Sequence, residues 1–312
     1  MLRTLASKVL TAGLVAATLF NATQAADTPP ASTWKSDLLT WRAEHAKDLQ
    51  QPNGWLTLIG LEWLKPGDNS FGAAKTSSII IHAPVSPSLG VVKLDGSTLQ
   101  LLPPKGGYPA GLTVDGKAPV DPQPLVSDNP GTPSKIATGS VSITVIHRGD
   151  RYALRIKNSK SPARLQFHGL RWFPPNEAYR VQAKWTPYNP PRQVPVPTIL
   201  GTEVMSEVPG VAEFTLDGKG YKLEPILEKP DDKELFFIFR DTTAKTETYG
   251  AGRFLYTPLP DHGLNQPGDL TLDFNRAENP PCAYTPYATC PLPLPQNRLR
   301  VAIPAGQMRY HE

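Results

Sequence analysis

The chain has 312 residues, and its 35 prolines and 24 glycines accompany an ordinary apolar content, which is typical of a turn-rich β protein rather than a disordered one. The formal net charge is +4 at pH 7, and Arg3 and Lys8 supply two of those charges in a segment without acidic residues. The rest of the chain is therefore close to neutral and has no cluster of lysines and arginines, a pattern that argues against a nucleic-acid partner.

Residues 1–25 predict a secretory signal peptide. The two basic residues precede an apolar run from Val9 to Phe20, and Thr23-Gln24-Ala25 places small residues before a cleavage site at Ala26. The run is too short to span a bilayer comfortably. We expect a periplasmic or secreted protein with no membrane attachment once the signal is removed, and an uncleaved anchor is the alternative.

Residues 26–54 contain a lead-in and the one helix that we predict, from Thr33 to Gln51. Thr33 can cap this helix, and Pro52-Asn53-Gly54 ends it. We expect the helix to form a lid or clasp on a β body, and cofactor binding by its tryptophans is the lesser alternative. Its apolar face comprises Trp34, Leu38, Leu39, Trp41 and Ala46.

Short alternating strands and tight turns follow over residues 55–160, without intervening helices. Asp95-Gly96 and Asp115-Gly116 each lie between apolar segments, which is the strongest short-range indication of a β-hairpin. This spacing predicts a β-sandwich domain. The pattern breaks at Ser159 to Pro162, where we place a domain boundary.

Residues 161–312 predict a second β domain, either a sandwich or a partly closed barrel, which carries the functional motif. Leu235 to Phe239 is an unbroken apolar run and indicates a strand buried on both faces. Leu270, Leu272 and Phe274 alternate with polar residues and indicate a strand with one buried face. The predicted fold is therefore all-β, with two packed β domains and one N-terminal helix.

A proline-dense loop follows this last strand, from Asn279 to Leu299. Proline fixes the φ angle and removes a backbone donor, so we expect a stiff loop that holds particular side chains in place. The loop contains both cysteines of the chain, Cys282 and Cys290. In an exported protein, two cysteines at this short spacing predict a disulfide.

Polar side chains at the ends of the predicted strands indicate a concave ligand site in the second domain. Three arginines would suit a carboxylate or a phosphate, because a guanidinium group binds such anions through two hydrogen bonds. The alternative is a set of salt bridges that ties loops together and binds no ligand. The six residues that we expect to converge are Arg240, Tyr249, Arg253, Asp273, Asn275 and Arg276.

No nucleophile elbow, nucleotide-binding loop or local metal-ligand spacing occurs in the sequence. We therefore predict no cofactor and no metal, and we favour a protein that binds a small anionic or peptide-like ligand. Two alternatives stay open. One is a metal-independent hydrolase or lyase that uses Asp273 with Tyr249 or His168 as acid and base. The other is a structural or interaction module of the cell envelope.

Four segments carry a resemblance to a known family: GLEWLKPGDNSFG, SPARLQFHGLRWFP, FIFRDTTAKTETYGAGRFLY and LDFNRAENPPCAYTPYATCPLPLPQNRL. They resemble the bacterial and archaeal family called domain of unknown function 1684 (DUF1684), and the last segment is the most specific. Glu278 departs from the family pattern, which usually has an aromatic residue there. Because the family has no assigned function, this resemblance implies no chemistry.

The first half also has a layout similar to a forkhead-associated (FHA) sandwich, over residues 65–92 and 113–117. Such domains bind phosphothreonine through an arginine beside their first glycine and a serine–histidine pair further on. Here Phe71-Gly72-Ala73 has no arginine, and Ser86 to Gly90 has no histidine. The resemblance therefore implies a sandwich fold without phosphopeptide binding.

Overall fold

The computed structural model of the protein describes residues 33–129, 131–229 and 231–310. The predicted signal peptide, its cleavage site and residues 26–32 lie outside the described residues. Within the described part, no helix is long and apolar enough to cross a membrane.

Two five-stranded sheets make up residues 58–158 and enclose a common core. The first sheet has the order β1-β10-β9-β8-β6, and the second has the order β3-β2-β4-β5-β7. Their buried side chains form one cluster that includes Phe71, Leu101 and Ile143. The strands are β1 Leu58–Trp63, β2 Gly67–Gly72, β3 Ile79–Ile80, β4 Gly90–Asp95, β5 Thr98–Leu102, β6 Thr113–Val114, β7 Gln123–Leu125, β8 Lys135–Thr138, β9 Val141–Arg148 and β10 Arg151–Asn158.

The predicted Asp-Gly turns are present where the sequence places them. Asp95 ends β4 and pairs with Thr98 of β5, so that Gly96 and Ser97 form the turn between them, and Asp115-Gly116 follows β6 directly. Asp115 and Gly116 both have positive φ, 51° and 79°, as a type I′ turn requires. Asparagine, aspartate and glycine tolerate this left-handed conformation better than other residues, so the Asp-Gly pair itself selects the turn.

A four-stranded sheet and a two-stranded sheet make up the second half. The larger sheet has the order β13-β12-β11-β16, and β14 pairs with β15. A core cluster that includes Trp185, Phe237 and Phe274 lies among these strands. The strands are β11 Arg180–Pro197, β12 Glu203–Leu216, β13 Lys219–Leu223, β14 Glu234–Phe239, β15 Arg253–Pro258 and β16 Gly268–Asp273.

Strand β14 confirms the interpretation of its apolar run, because residues 235 to 239 are all buried, with at most 4% of each exposed. Strand β16 confirms the alternation of Leu270 and Leu272 with polar residues, but it ends at Asp273. Residues Phe274–Arg276 form a 3-10 turn instead of a continued strand. The Asp273 carboxylate accepts a hydrogen bond from the Asn275 backbone N–H, and this capping bond favours the turn.

The predicted helix, α1, spans Trp34–Leu49 and packs against the second half. Leu38, Arg42 and Leu49 are its buried residues, whereas Leu39 is 48% exposed and does not belong to the buried face. The Arg42 guanidinium donates to the backbone oxygens of Phe173 at 3.0 Å and Asn275 at 3.1 Å. The only other α-helix in the described residues is α2 Pro162–Leu165, a single turn near the predicted domain boundary.

The fold class is confirmed: the described chain is mostly β, with several sheets and one long helix, and none of its sheets closes into a barrel. The described residues from Trp34 onward belong to one compact unit. Hydrogen bonds join the halves, for example from the Ser161 hydroxyl to Leu56 O at 2.6 Å and from the Thr285 hydroxyl to Leu58 O at 3.2 Å. The boundary near residue 160 and the FHA-like layout stay predictions.

Candidate functional site

The structure does not bring the six predicted site residues together. Arg253 is 1% exposed and belongs to the core. Its Nη2 donates to Asp241 Oδ1 at 3.1 Å and to Ile303 O at 3.0 Å, and its Nη1 donates to Ala305 O. The guanidinium therefore binds the C-terminal segment to β15, and it cannot reach a ligand on the surface.

Asn275 is also fully buried and makes structural contacts. Its side-chain amide exchanges hydrogen bonds with the backbone of Asn176, both at 2.9 Å, and donates to Asp273 Oδ1 at 2.9 Å. These bonds hold the segment before β11 against the end of β16. Asn275 therefore positions its neighbours rather than facing solvent.

Arg240 and Tyr249 lie elsewhere, near the glycine turn before β15. The exposed Arg240 side chain donates to Gly250 O at 2.8 Å, and the Tyr249 hydroxyl donates to Cys282 O at 3.1 Å. Burial of the Tyr249 ring raises the pKa of its hydroxyl to above its ordinary range, with the neighbouring Cys282 adding to the effect. Both side chains hold loops together, and neither lines the cavity described next.

Asp273 and Arg276 line a cavity of about 750 Å³ between helix α1 and the second half, which we call the helix–sheet cavity. This volume lies in the range of small-ligand sites. The Trp34 indole N–H donates to Asp273 Oδ2 at 2.7 Å, so the helix is bound to the end of β16 at the cavity wall. The full lining comprises Trp34, Asp37, Trp41, Arg180, Glu234, Tyr256, Thr257, Pro258, Thr271, Asp273, Arg276 and Glu278.

Two arginines supply the positive charge of the helix–sheet cavity. The Arg276 guanidinium lies 5.3 Å from the centre of the Trp41 ring, which is a cation–π contact. The exposed Arg180 side chain begins β11, directly opposite Asp273 in the sheet register. Neither guanidinium forms an ion pair within the described part of the chain, so both remain able to bind a carboxylate.

Glu278, which lines the helix–sheet cavity, forms an unusual pair with His45 of helix α1. His45 Nδ1 lies 3.2 Å from Glu278 Oε2, and the two side chains are only 17% and 18% exposed. Burial raises the pKa of Glu278 to about 8, with the charge of Glu234 adding to the rise. Burial likewise lowers the pKa of His45 to about 4. Although the distance would suit an ion pair, we infer a neutral pair at pH 7, because burial disfavours both charged forms and, among the described residues, His45 Nε2 has no hydrogen-bond partner.

Tyr256 lies beside Glu278 on the same wall. Its ring stacks on Phe236 at 4.6 Å between centroids, and burial raises the pKa of its hydroxyl well above the usual range. The nearby carboxylates Glu228, Glu278 and Glu234 raise it further, because they oppose a second negative charge. Tyr256 is therefore a hydrogen-bond donor at every physiological pH.

Both cysteines are free thiols in the structure, and they are neighbours. The Cys282 backbone N–H lies 3.1 Å from Cys290 Sγ, and Cys290 is buried. The contact between the two thiols raises the pKa of Cys290 and lowers that of Cys282. The proline-rich loop thus holds the two residues side by side, and their oxidation to a disulfide stays a prediction.

Comparison with known proteins gives a matching family and similar solved structures. The family described as "Protein of unknown function (DUF1684)" matches residues 165–308. The uncharacterized protein of Haloarcula marismortui, solved by solution NMR, is 36% identical over 46% of this chain and 78% of its own, with a TM-score of 0.40. The chain belongs to the DUF1684 family.

The matched residues include the last two of the four segments that carry the resemblance, most of the second, and not residues 60–72. No curated protein matches the chain. The family therefore identifies the second half as the shared part, and the chemistry has to be argued from the cavity itself.

Sequence reasoning missed Arg42, His45, Arg180 and Tyr256, and it did not recognise Glu278 as a site residue. Glu278 had one signal, its departure from the family pattern. Arg42 follows Leu38 by four positions and so shares its buried helix face. His45 and Tyr256 had no signal in the sequence. His45 meets Glu278 only where α1 packs against the segment after β16, and Tyr256 shares a wall with Glu278 because that segment pairs with β15 at Phe254.

Proposed function

We propose that this DUF1684 protein is exported and binds a small peptide-like ligand in the helix–sheet cavity. The observation that carries the proposal is the cavity of about 750 Å³ in which two arginines without ion pairs face carboxylates and aromatic rings. A ligand with both a carboxylate and an ammonium group would find a partner for each. Of the two ligand classes that the sequence suggests, the charges favour the peptide-like one.

The balance of charge argues against a simple anion. Four acidic side chains line the cavity, against two arginines. Even with Glu278 neutral, the acids outnumber the bases, and a dianion would be repelled. The ionised carboxylates instead suit an ammonium group, with Glu234 exposed at the rim.

Aromatic faces provide the apolar part of such a site. Trp34, Trp41 and Tyr256 are each half-buried on the cavity wall. Rings of this kind contribute apolar contact area at little cost in conformational entropy, and their faces attract cations. An amino-acid side chain or a peptide plane could therefore pack on them while its charged ends bind at Arg180, Arg276 and the carboxylates.

Calorimetric titration of dipeptides, single amino acids, succinate and a diamine into the purified protein tests the proposal. We expect saturable binding of a dipeptide and weaker binding of succinate and of the diamine. Arg276→Met, which keeps an unbranched stem against Trp41, should weaken dipeptide binding at least about tenfold, since a charge-assisted hydrogen bond contributes roughly 1.5–3 kcal/mol.

Arg300→Met is the matched control, because Arg300 is exposed and does not line the cavity. It should leave dipeptide affinity unchanged within about twofold. The proposal fails if no zwitterionic compound binds at millimolar concentration, or if Arg276→Met and Arg300→Met behave alike.

Glu278 supports a second candidate, an acid–base enzyme at the same cavity. A carboxyl group with a pKa of about 8 that hydrogen-bonds a neutral histidine can deliver a proton near neutral pH. The residue pairs suggested by the sequence receive no such support, because the Tyr249 hydroxyl is bound to Cys282 O and His168 is exposed outside the cavity. Chromatography of the dipeptide after incubation separates the two candidates: cleavage that Glu278→Gln abolishes supports the enzyme.

A further inference from the structure

A second cavity, of about 400 Å³, lies between the two halves of the described chain, and we call it the interface cavity. The first half contributes Trp55, Arg148 and Arg155 to its wall. It adjoins the helix–sheet cavity, because Tyr256 and Glu278 line both. Its remaining lining comprises Glu228, Phe236, Phe254, Pro281, Thr289, Cys290 and Pro291.

Arg155 is the unusual residue of the interface cavity. Its Nε is buried without a hydrogen-bond partner, and its guanidinium makes no hydrogen bond or ion pair within the described residues. The only contact of its charge is a cation–π approach to Trp55, at 5.5 Å from the ring centre. Arg155 as a whole is half-buried. A buried guanidinium nitrogen normally donates to a carboxylate or a carbonyl, since leaving it without a partner costs free energy.

The neighbouring charges do not neutralise Arg155. Arg148 is itself bound by Asp128 through two hydrogen bonds, at 3.0 and 2.9 Å. Burial lowers the pKa of the Lys157 amine, and repulsion from Arg155 and Lys135 lowers it further. The Lys157 ammonium donates to Asn53 O. Asp128 attracts Arg155 electrostatically as well, but its carboxylate is bound to Arg148, so the first-half wall of the interface cavity carries an excess of positive charge.

The second-half wall of the interface cavity does not supply a counter-ion to Arg155 either. Glu228 and Glu278 line the cavity, but neither forms an ion pair with Arg155 among the described residues. Burial raises the pKa of both carboxyls, so that Glu278 is mainly protonated at pH 7. Thr289 adds a hydroxyl that can donate to an anion at the same cavity.

We propose that the interface cavity is a binding site for a small oxyanion, such as a sulfate, phosphate or carboxylate group, held by the guanidinium of Arg155 against Trp55. The planar guanidinium donates in parallel to two oxygens of such a group, and the low dielectric of the cavity strengthens the contact. Arg155 and Trp55 do not line the helix–sheet cavity, so the oxyanion site does not depend on binding of the proposed peptide-like ligand. The shared wall at Glu278 does allow one elongated ligand to reach both cavities.

Titration calorimetry with sodium sulfate, in buffers whose ionic strength is kept constant with sodium chloride, tests the proposal. Sulfate also stabilises proteins nonspecifically through exclusion from their surface, so saturation of the heat and its dependence on Arg155 are the decisive readouts. We expect Arg155→Met to reduce sulfate affinity at least tenfold and Arg155→Lys, which keeps the charge, to retain part of it.

Arg151→Met is the matched control. Arg151 is on the same strand, β10, and contacts Trp63 as Arg155 contacts Trp55, at 3.9 Å from the ring centre, but its side chain is exposed. This variant should bind sulfate with unchanged affinity within about twofold. The melting temperature of each variant in chloride alone shows whether the variant folds. Removing the half-buried charge of Arg155, which has no ion-pair partner among the described residues, should not lower it.

Non-saturable heats for the unsubstituted protein would overturn the proposal, as would equal sulfate affinity of Arg155→Met and the unsubstituted protein. A dipeptide titration of Arg155→Met distinguishes the source of the anion. If dipeptide affinity falls together with sulfate affinity, the oxyanion is the carboxylate of a ligand that spans both cavities. If only sulfate affinity falls, the site takes a free anion.

Discussion

Replacing Glu278 by glutamine should stabilise this protein at alkaline pH and leave its stability unchanged at acidic pH. The pKa of the carboxyl rises from 4.5 to about 8 in the folded protein. Between these values the folded state binds more protons at this group than the unfolded state does, so the free energy of unfolding falls as pH rises. Stability from this group is complete below pH 4.5 and is lost by the time the pH passes about 8.

The loss of stability caused by ionisation of Glu278 follows from the size of its pKa shift. Each pKa unit corresponds to about 1.36 kcal/mol, so a shift from 4.5 to about 8 corresponds to roughly 5 kcal/mol of lost stability at pH 8.5. Because the side chain is 18% exposed and an adjacent cavity admits water, the full figure is an upper value. Glutamine resembles the protonated carboxyl group and can donate a hydrogen bond to His45 Nδ1. Because glutamine does not ionise, the variant does not lose stability at this position as the pH rises.

His45 changes the free energy of unfolding in the opposite direction, over a more acidic pH range. Its pKa is lowered from 6.5 to about 4, so its neutral state in the fold adds stability as pH rises from about 4 to 6.5. The two effects nearly cancel between pH 4.5 and 6.5 in the unsubstituted protein. From pH 6.5 to 8 only the loss at Glu278 remains, roughly 2 kcal/mol.

Urea denaturation followed by tryptophan fluorescence, at half-unit steps from pH 4.5 to pH 8.5, measures the difference between the two proteins. We expect it to be near zero at the acidic end and to reach several kcal/mol in favour of Glu278→Gln at the alkaline end. Glu203→Gln, which removes an exposed carboxylate on β12, should stay within about 0.5 kcal/mol of the unsubstituted protein throughout. A difference for Glu278→Gln that does not grow with pH would refute the reasoning.

Three further results are expected. Arg253→Met should lower the free energy of unfolding by about 3–5 kcal/mol, because it leaves the Asp241 carboxylate buried without its partner; a change below 1 kcal/mol in urea denaturation would contradict the structural role of the pair. Cys282 and Cys290 are close in space, and the periplasm of an expression host favours their oxidation. Protein purified from the periplasm and denatured without reductant should therefore contain no titratable thiol, whereas protein from the cytoplasm should contain two. N-terminal sequencing of the exported protein should begin at Ala26, and an intact Met1 would exclude the predicted signal cleavage.

The turn chemistry and strand pattern of this chain are local properties, and they were predictable. Asp115-Gly116 determines its turn through two residues that tolerate positive φ. The apolar run from Leu235 to Phe239 indicates a buried strand, because a strand exposed on one face would alternate. The stiffness that we expect of the loop around Cys282 and Cys290 is likewise a local inference, from its proline content.

The site was predictable only in part, because a residue type at a strand end does not reveal its partner. Arg253 and Arg276 are both arginines close to an end of a strand, yet one is 1% exposed and the other lines a cavity. Asp241, which follows β14, decides this difference by supplying a buried counter-ion to Arg253 alone. No periodicity in the sequence distinguishes an arginine that has a buried carboxylate beside it from one that does not.

The sequence by itself therefore determined the β class, the single long helix, the hairpin turns and the family, because each depends on neighbours within a few positions. Tertiary structure alone decided the cavities and their chemistry. His45 and Glu278 are far apart in the chain, and Arg155 faces Cys290 only where the two halves meet. Their pKa values and their lack of partners come from burial, which is a property of packing between distant segments and not of any stretch of sequence.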